Sequence, residues 1–217
     1  MSVPKGRNCK LEVAATFAAA IQPTALTKAS PGAATKTTHG MAAGTIGYWT
    51  VATGMVELDG WVGSVQGVAA DTWNVERTDT TSMTTWASSS GNTFTPVATW
   101  TTVSQATQYS IGGGGADEID VSRLIDTVHQ IDYGLLTAET VSIEVLNDMQ
   151  AAGLVAIEAA ARAGTSMVFR LTLSNTERRV FRGVVTIPTE TQGISQAATG
   201  TFSVAVKGPV LRLPVAS

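Results

Sequence analysis

Along residues 147–208 the apolar positions change rhythm once, from a nearly unbroken stretch of small apolar residues to strict alternation. The unbroken stretch, Met149–Ala163, has few polar side chains, chiefly Gln150, Glu158 and Arg162. Glu158 and Arg162 fall four apart, on one face of a helix. Asn147 is placed to cap that helix and Gln150 to reach back to it, a capping box. Gly164 ends it as the residue that turns left-handed past the last turn. Beyond it, Met167-Phe169-Leu171-Leu173, Phe181-Val185-Ile187 and Phe202-Val204-Val206 alternate apolar with polar or small residues, which predicts three strands. Ser174-Asn175-Thr176 is a hairpin turn by composition.

Nearer the N-terminus the steps are shorter. Pro31-Gly32, His39-Gly40 and Leu58-Asp59-Gly60 read as turns, the last with an Asp-Gly pair suited to a two-residue hairpin. Between them Ala33–Thr38, Ile46–Val51, Trp61–Val68 and Thr72–Glu76 read as short strands, the spacing of a small barrel or sandwich. Lys5, Arg7 and Lys10 ahead of Leu11–Ile21 loosely imitate a secretory leader, but Glu12 and Thr16 interrupt the apolar stretch. Lys10–Phe17 is better read as a first strand, and Ser88-Ser89-Ser90-Gly91 as a linker.

The predicted fold is therefore mainly β: a β-sandwich or barrel with one flanking α-helix at about 148–163, plus an inserted small all-β barrel. The predicted divisions are an N-terminal arm with the first strand (1–22), the inserted barrel (23–93), and a β-sandwich with the helix (94–217). The barrel's own turn-and-strand pattern implies an independent unit, replaceable by a flexible linker without loss of the rest.

Composition adds a surface argument. Only 14% of residues are charged, whereas Thr, with 32 copies, and Val favour strands. A monomer needs surface charge, so the shortage implies surface covered by other subunits. Charge is also segregated. Residues 1–40 carry five Lys/Arg and one Glu, residues 41–169 three Arg and fourteen Asp/Glu, and residues 170–217 six Lys/Arg and two Glu. Acidic and basic regions on one chain suit pairing between copies. A net charge of −3 without a basic stripe argues against nucleic-acid binding. No apolar run is long enough for a membrane helix, and one Cys cannot form an intramolecular disulfide.

Candidate chemistry is sparse. Cys9 with His39 or His129 has no surrounding catalytic motif, and the chain lacks zinc-ligand spacing. Ile111-Gly112-Gly113-Gly114-Gly115 is followed by Ala116-Asp117-Glu118 rather than Lys-Ser/Thr, so a hinge suits it better than a phosphate loop. Asp117, Glu118 and Asp120 lack the calcium-loop spacing. No catalytic, cofactor or metal residue is assigned, and the chain is read as no enzyme. Trp49, Trp61, Trp73, Trp86 and Trp100 recur every twelve to fourteen residues. One Trp per strand is the mark of a core. A sugar-reading surface also uses Trp, which leaves a decoration or carbohydrate-binding protein as a second reading.

Several phrases carry a family resemblance. Thr140–Leu146, Asp148–Gly164, Phe169–Leu173, Val180-Phe181-Arg182-Gly183 and Thr201–Pro209 follow one another in an order that resembles the major tail tube protein of long, non-contractile phage tails, the lambda-like siphovirus family. Thr38-His39-Gly40-Met41, Gly54–Gly60 and Asp71-Thr72-Trp73-Asn74-Val75 resemble a small β-barrel module of phage structural proteins. That module is related to the first catalytic-cysteine half-domain of ubiquitin-activating enzymes, and it implies no ubiquitin chemistry.

The tube resemblance implies a virion protein, made in the bacterial host cytoplasm, that assembles into stacked hexameric rings. It implies as partners the chain itself, the tape measure, the tail terminator and the distal tail or baseplate proteins. Double-stranded DNA would pass through the lumen without specific binding. A tube-fold relative at a tail end shares the same motifs. Asp117-Glu118-Ile119-Asp120-Val121 resembles the start of the family's ring-joining loop, so residues 110–137 are expected to be mobile until assembly. The expected inter-subunit residues are Asp117, Glu118, Asp120 and Arg123 on that loop, and Glu144, Arg170 and Arg182 on the strands. Arg170 and Arg182 are expected nearly opposite each other on a hairpin, with Glu144 as an intramolecular partner.

Overall fold

The alternation of the last third of the chain becomes the spine of the fold. The computed structural model describes residues 9–214 apart from 124, 126, 129, 149 and 195. In chain order the elements are β1 (Lys10–Phe17), β2 (Ala25–Leu26), β3 (Ala33–Thr35), β4 (Ile46–Thr50), β5 (Val62–Gln66), β6 (Thr72–Val75), β7 (Thr93–Thr102) and β8 (Ala106–Gly112). Then come β9 (Ala116–Asp120), β10 (Ile131–Leu136), β11 (Thr140–Leu146), α1 (Ala152–Ala163), β12 (Ser166–Thr172), β13 (Arg178–Val185), β14 (Thr199–Val206) and β15 (Leu211–Leu213).

β12 and β13 form the expected hairpin. Thr176 N–H bonds to Leu173 O, and Leu173 N–H to Glu177 O. Phe169 faces Phe181 in register, and their rings stack with centroids 5.2 Å apart. β14 adds beside β13, β11 beside β14 and β8 beside β11, all antiparallel. On the other side β12 is joined by β1 and then β7. The inner face of this curled sheet holds Leu11, Val13, Phe169, Phe181, Phe202 and Val204, closed by Leu154, Ile157 and Ala160 of α1.

The helix starts later than the sequence suggested. Asn147 gives its N–H to Ala198 O, one further rung on the β11–β14 ladder, so that donor is not left for Gln150 to bond. Asp148 Oδ1 takes the Gln150 N–H, and Ala151 is the cap residue, without a side-chain bond. The capping box is therefore absent, and Met149 lies outside the described residues. The other end matches: Gly164 is left-handed and gives its N–H to Ala160 and Ala161, and Arg162 Nε pairs with Glu158 at 3.0 Å.

The first half of the chain extends the same sheet. β4 pairs with the start of β7 from Gly47–Pro96 to Thr50–Thr93, and β5, β6, β3 and β2 follow outward. Among the described residues this makes one thirteen-stranded antiparallel sheet, mainly β with a single helix, and a separate two-stranded sheet. The outward strands have their own core, with Trp49, Trp73, Met55, Leu58 and Phe94 almost fully enclosed. The Asp59-Gly60 pair does not make a two-residue hairpin. Residues 51–61 connect β4 to β5, because Met55 and Leu58 on a single 3-10 turn (Val56–Leu58) are drawn into that core.

The Ser-rich stretch is held down by its neighbour. Asn92 is completely buried, accepts the N–H groups of Ala52 and Thr53, and donates to Thr53 O and Ala87 O. Asn92→Ala strands those backbone groups. We expect a loss of about 2–4 kcal/mol, read by urea unfolding, since each buried unsatisfied group costs ~1–3 kcal/mol.

A third core joins the two halves. Ile46 and Val62 of β4 and β5 lie over Val168, Val180, Leu211 and Leu213 on the outer face of the tail-end sheet.

Candidate functional site

Two structural regions bear on function: a ribbon that projects from the sheet, and the seam beneath β4 and β5. The β8–β11 pair runs from Val145–Ala106 to Thr140–Gly112, with one register shift between Glu144 and Val145, then bends at the glycine run. Gly113 and Gly114 take positive φ of 87° and 75°, and a Cβ on Gly113 would collide with Ala138 O. Only glycine allows this crossing. Gly114 N–H on Thr137 O and Thr137 N–H on Gly115 O carry the pairing across the bend.

Beyond the bend β9 and β10 pair as an independent two-stranded sheet, with Glu118 opposite Tyr133, Ile119 opposite Asp132 and Asp120 opposite Ile131. The segment expected as an acidic loop is thus a β-ribbon, templated by the hairpin at its base. Its side chains are exposed: Ile125 81%, Tyr133 68% and Leu135 86%. Asp117, Glu118 and Asp120 stand on β9, and Arg123 lies at the tip. Hydrogen bonds from the Ser122 hydroxyl and N–H hold the Asp120 carboxyl below the usual aspartate value. Asp126 and His129 lie outside the described residues.

The two strand arginines are elsewhere and already engaged. Arg170 pairs with Val180, and Arg182 with Val168, so the arginines sit diagonally rather than opposite. Arg170 Nε and Nη2 reach Glu12 Oε2 at 2.8 and 2.7 Å, and Lys10 Nζ reaches Glu12 Oε1 at 2.7 Å. The Arg170 guanidinium also lies 4.3 Å over the Trp100 ring. Arg182 lies 4.2 Å over Tyr48, and burial lowers its pKa against the opposing pull of Tyr48 and Asp59. Asp59 in turn pairs with Lys207 at 2.8 Å, tying the β4–β5 loop to the turn after β14.

Glu144 is exposed on β11, between Thr201 and Gln108, and does not reach Arg170. Glu12 takes that role. Its signal was legible: it is the one carboxylate in the first 40 residues, set between Leu11 and Val13 in a strand, and a charge in an apolar strand needs a partner.

Acid should loosen this seam. Burial pushes the Glu12 carboxyl up, but hydrogen bonds from Lys10 and Arg170 outweigh it, and the pKa falls below its ordinary 4.5. Asp59 behaves likewise: burial raises it, and Lys207 with the Val51 N–H brings it below 3.8. A depressed carboxylate stabilises the fold above its unfolded pKa, and that stability is lost as pH falls through the folded value. The melting temperature should hold from neutral pH to about 5 and fall below it. At neutral pH Glu12→Gln should cost about 2–3 kcal/mol, the scale of a charged hydrogen bond. The variant should also flatten the acid limb in melts across pH.

The remaining candidates are structural. His39 Nδ1 accepts the Met41 N–H and Nε2 donates to Ala69 O, which pins two loops. Cys9 lines a cleft of about 360 Å³ together with Leu11 and Tyr109. Trp49, Trp73 and Trp86 are core residues, Trp61 packs on Gly208, and Trp100 lies under Arg170. They form no exposed row. Among the described residues no three His, Cys, Asp or Glu side chains gather as metal ligands, and no helix is long and apolar enough to cross a membrane.

The described residues thus form a curled antiparallel sheet with one helix and a projecting ribbon that is both apolar and acidic. Residues 53–213, well over half of the chain, match the family model described as "Phage tail tube protein, TTP". The chain belongs to that family, and is a structural tail tube protein of the virion. A search of curated proteins finds no significant match.

Proposed function

We propose that this chain is the repeating subunit of the tube itself, forming rings, six copies in each, that stack into the conduit for phage DNA. The observation that supports it best is the β9–β10 ribbon, whose apolar side chains find no cover within the subunit. Large exposed apolar patches on soluble chains mark protein interfaces. The tape measure, tail terminator and distal tail proteins are the partners at the tube's ends. DNA passes without specific contact, because a strongly basic bore would hold phosphate by many summed contacts. The division into 1–22, 23–93 and 94–217 belongs to the same reading. Residues 23–93, the part that resembles the small barrel of phage structural proteins, lie on the outside of the tube, where they leave the bore clear.

Negative-stain microscopy and analytical ultracentrifugation of purified protein test this. Rings or tubes are expected. A monomer at high concentration, indifferent to salt and to tail-initiator proteins, would overturn it. Copy number in the virion separates the repeating subunit from a tail-end relative.

Asp117, Glu118, Asp120 and Arg123 form the polar part of the interface, with Glu144 near the ribbon's base. Arg170 and Arg182 brace the sheet from within, occupied by Glu12, Trp100 and Tyr48. The cations that suit the ribbon's carboxylates are Arg178 and Arg212, which make no ion pair among the described residues. Each exposed pair is worth only about 0–1 kcal/mol, but it repeats in every subunit. Reversing Asp117, Glu118 and Asp120 to Lys should abolish tube formation at low salt, measured by pelleting. Unchanged pelleting would remove the electrostatic part of the interface.

A further inference from the structure

The connection from β13 to β14, residues 186–198, is fastened along its length. Thr186 N–H bonds to Ser203 O, Thr189 N–H to Thr201 O, and Thr191 and Thr199 exchange both of their backbone bonds. Thr189 Oγ1 also accepts the Thr201 N–H. The two arms end in a turn closed by Gln196 N–H on Gly193 O, and Ile194 within that turn is 100% exposed. An isoleucine held out on so fastened a backbone is a preorganised anchor, with little ordering left to oppose binding. The far end of β14 carries a hole. Trp61, Val206, Pro209, Val210 and Arg212 line a cleft of about 540 Å³. Its walls are fixed from three sides. Glu139 Oε2 accepts the Val210 N–H, Lys207 holds Asp59, and a Cβ on Gly208 would collide with the Trp61 ring that packs there.

Knob and hole lie at opposite ends of the sheet, separated by the whole of β14, Thr199–Val206. At ~3.4 Å per residue that strand spans roughly 24 Å. The ends also differ in charge. Residues 186–198 hold Glu190 and no Lys or Arg, and Asp148 follows Asn147, whose N–H bonds to Ala198 O. The opposite end holds Arg178, Arg179, Lys207 and Arg212, of which Arg178 and Arg212 make no ion pair among the described residues. We infer that Ile194 of one copy seats in the cleft of the next, joining copies end to end, and that this is the axial contact between successive rings. The inference rests on the tube reading above. A second copy is the occupant because one chain carries both halves at opposite ends. Such a contact leaves a free knob and a free hole at every step and propagates without closing. Glu190 then arrives at the end that bears Arg212, whose five donors leave room for a ribbon carboxylate as well.

The test is disulfide trapping in assembled tubes. Ile194→Cys and Pro209→Cys are placed together in a Cys9→Ser chain, which is oxidised after assembly. Positions at opposite ends of β14 are too far apart for the ~7 Å that a disulfide spans, so bonds form only between chains. A denaturing, non-reducing gel should show a ladder that runs past the six copies of one ring, and either substitution alone should give none. Ile194→Lys should raise the protein concentration needed for pelleting at least about tenfold, the scale of losing one buried aliphatic anchor. Ile194→Leu should leave that concentration unchanged, and neither variant should shift the melting temperature of the unassembled chain. A ladder that stops at six places the contact within a ring and overturns the axial join. Tubes that give no ladder, or that Ile194→Lys forms at the wild-type concentration, overturn the seat itself. Each of these results leaves the tube reading standing. A wild-type chain that never assembles overturns both.

Discussion

Replacing residues 23–93 by a short Gly/Ser linker is expected to unfold what is left, not to trim it. The sequence reading treats this stretch as detachable, and its separate core around Trp49 and Trp73 explains why. The structure reverses that expectation at the third core. Ile46 and Val62 roof over Val168, Val180, Leu211 and Leu213, all of which would meet water once the roof is gone. Exposing a buried aliphatic side chain costs about 1.5–3 kcal/mol. Four of them rival the whole stability of a typical domain, about 5–15 kcal/mol. Phe94, Thr95 and Pro96 of β7 lose β4 as pairing partner, and Arg182 loses the Tyr48 ring that covers it. Circular dichroism and limited proteolysis of the replaced chain decide the matter. A cooperative melt near that of the full chain would show that the third core is dispensable.

Legibility followed the range of the interactions. The β12–β13 hairpin, its turn and the glycine end of α1 depend on residues within a few positions, and periodicity and turn chemistry expose them. The start of α1 failed because Asn147 donates its N–H to Ala198 O, 51 residues away, and stays with the strand. The Asp-Gly hairpin failed for a similar reason: burial of Met55 and Leu58 outweighs the preference of two turn residues. At the candidate site, the residue types of the ribbon were legible but its order was not. Composition predicted an acidic loop, whereas pairing inherited from β8 and β11 makes it a strand pair. Arg170 and Arg182 were recognised as needing partners. Which partners they take depends on how β1 and β4 pack against β12 and β13, and one sequence holds no record of that.

The core and the ribbon should separate cleanly under mutation. Phe169 is fully buried, stacked on Phe181 at an interplanar angle of 12°, with the Phe202 ring centroid 6.4 Å away and Val13 its partner on β1. Phe169→Ala removes the ring from the centre of the main core, where the surrounding strands are paired on both sides and cannot collapse inward. The expected cost is about 3–5 kcal/mol, the range for emptying a buried aromatic site. For a chain of this length each kcal/mol moves the melting temperature by ~2–4 °C, so a fall of roughly 6–20 °C should appear in a thermal scan. Leu135, 86% exposed on the ribbon, is the counterpart. Leu135→Ala should move stability by no more than ~0.5 kcal/mol, as for other surface sites, yet reduce pelleted tubes at matched concentration. If Leu135→Ala instead lowered the melting temperature as Phe169→Ala does, the ribbon would be part of the subunit's own fold. Its exposed side chains would then carry no argument about assembly.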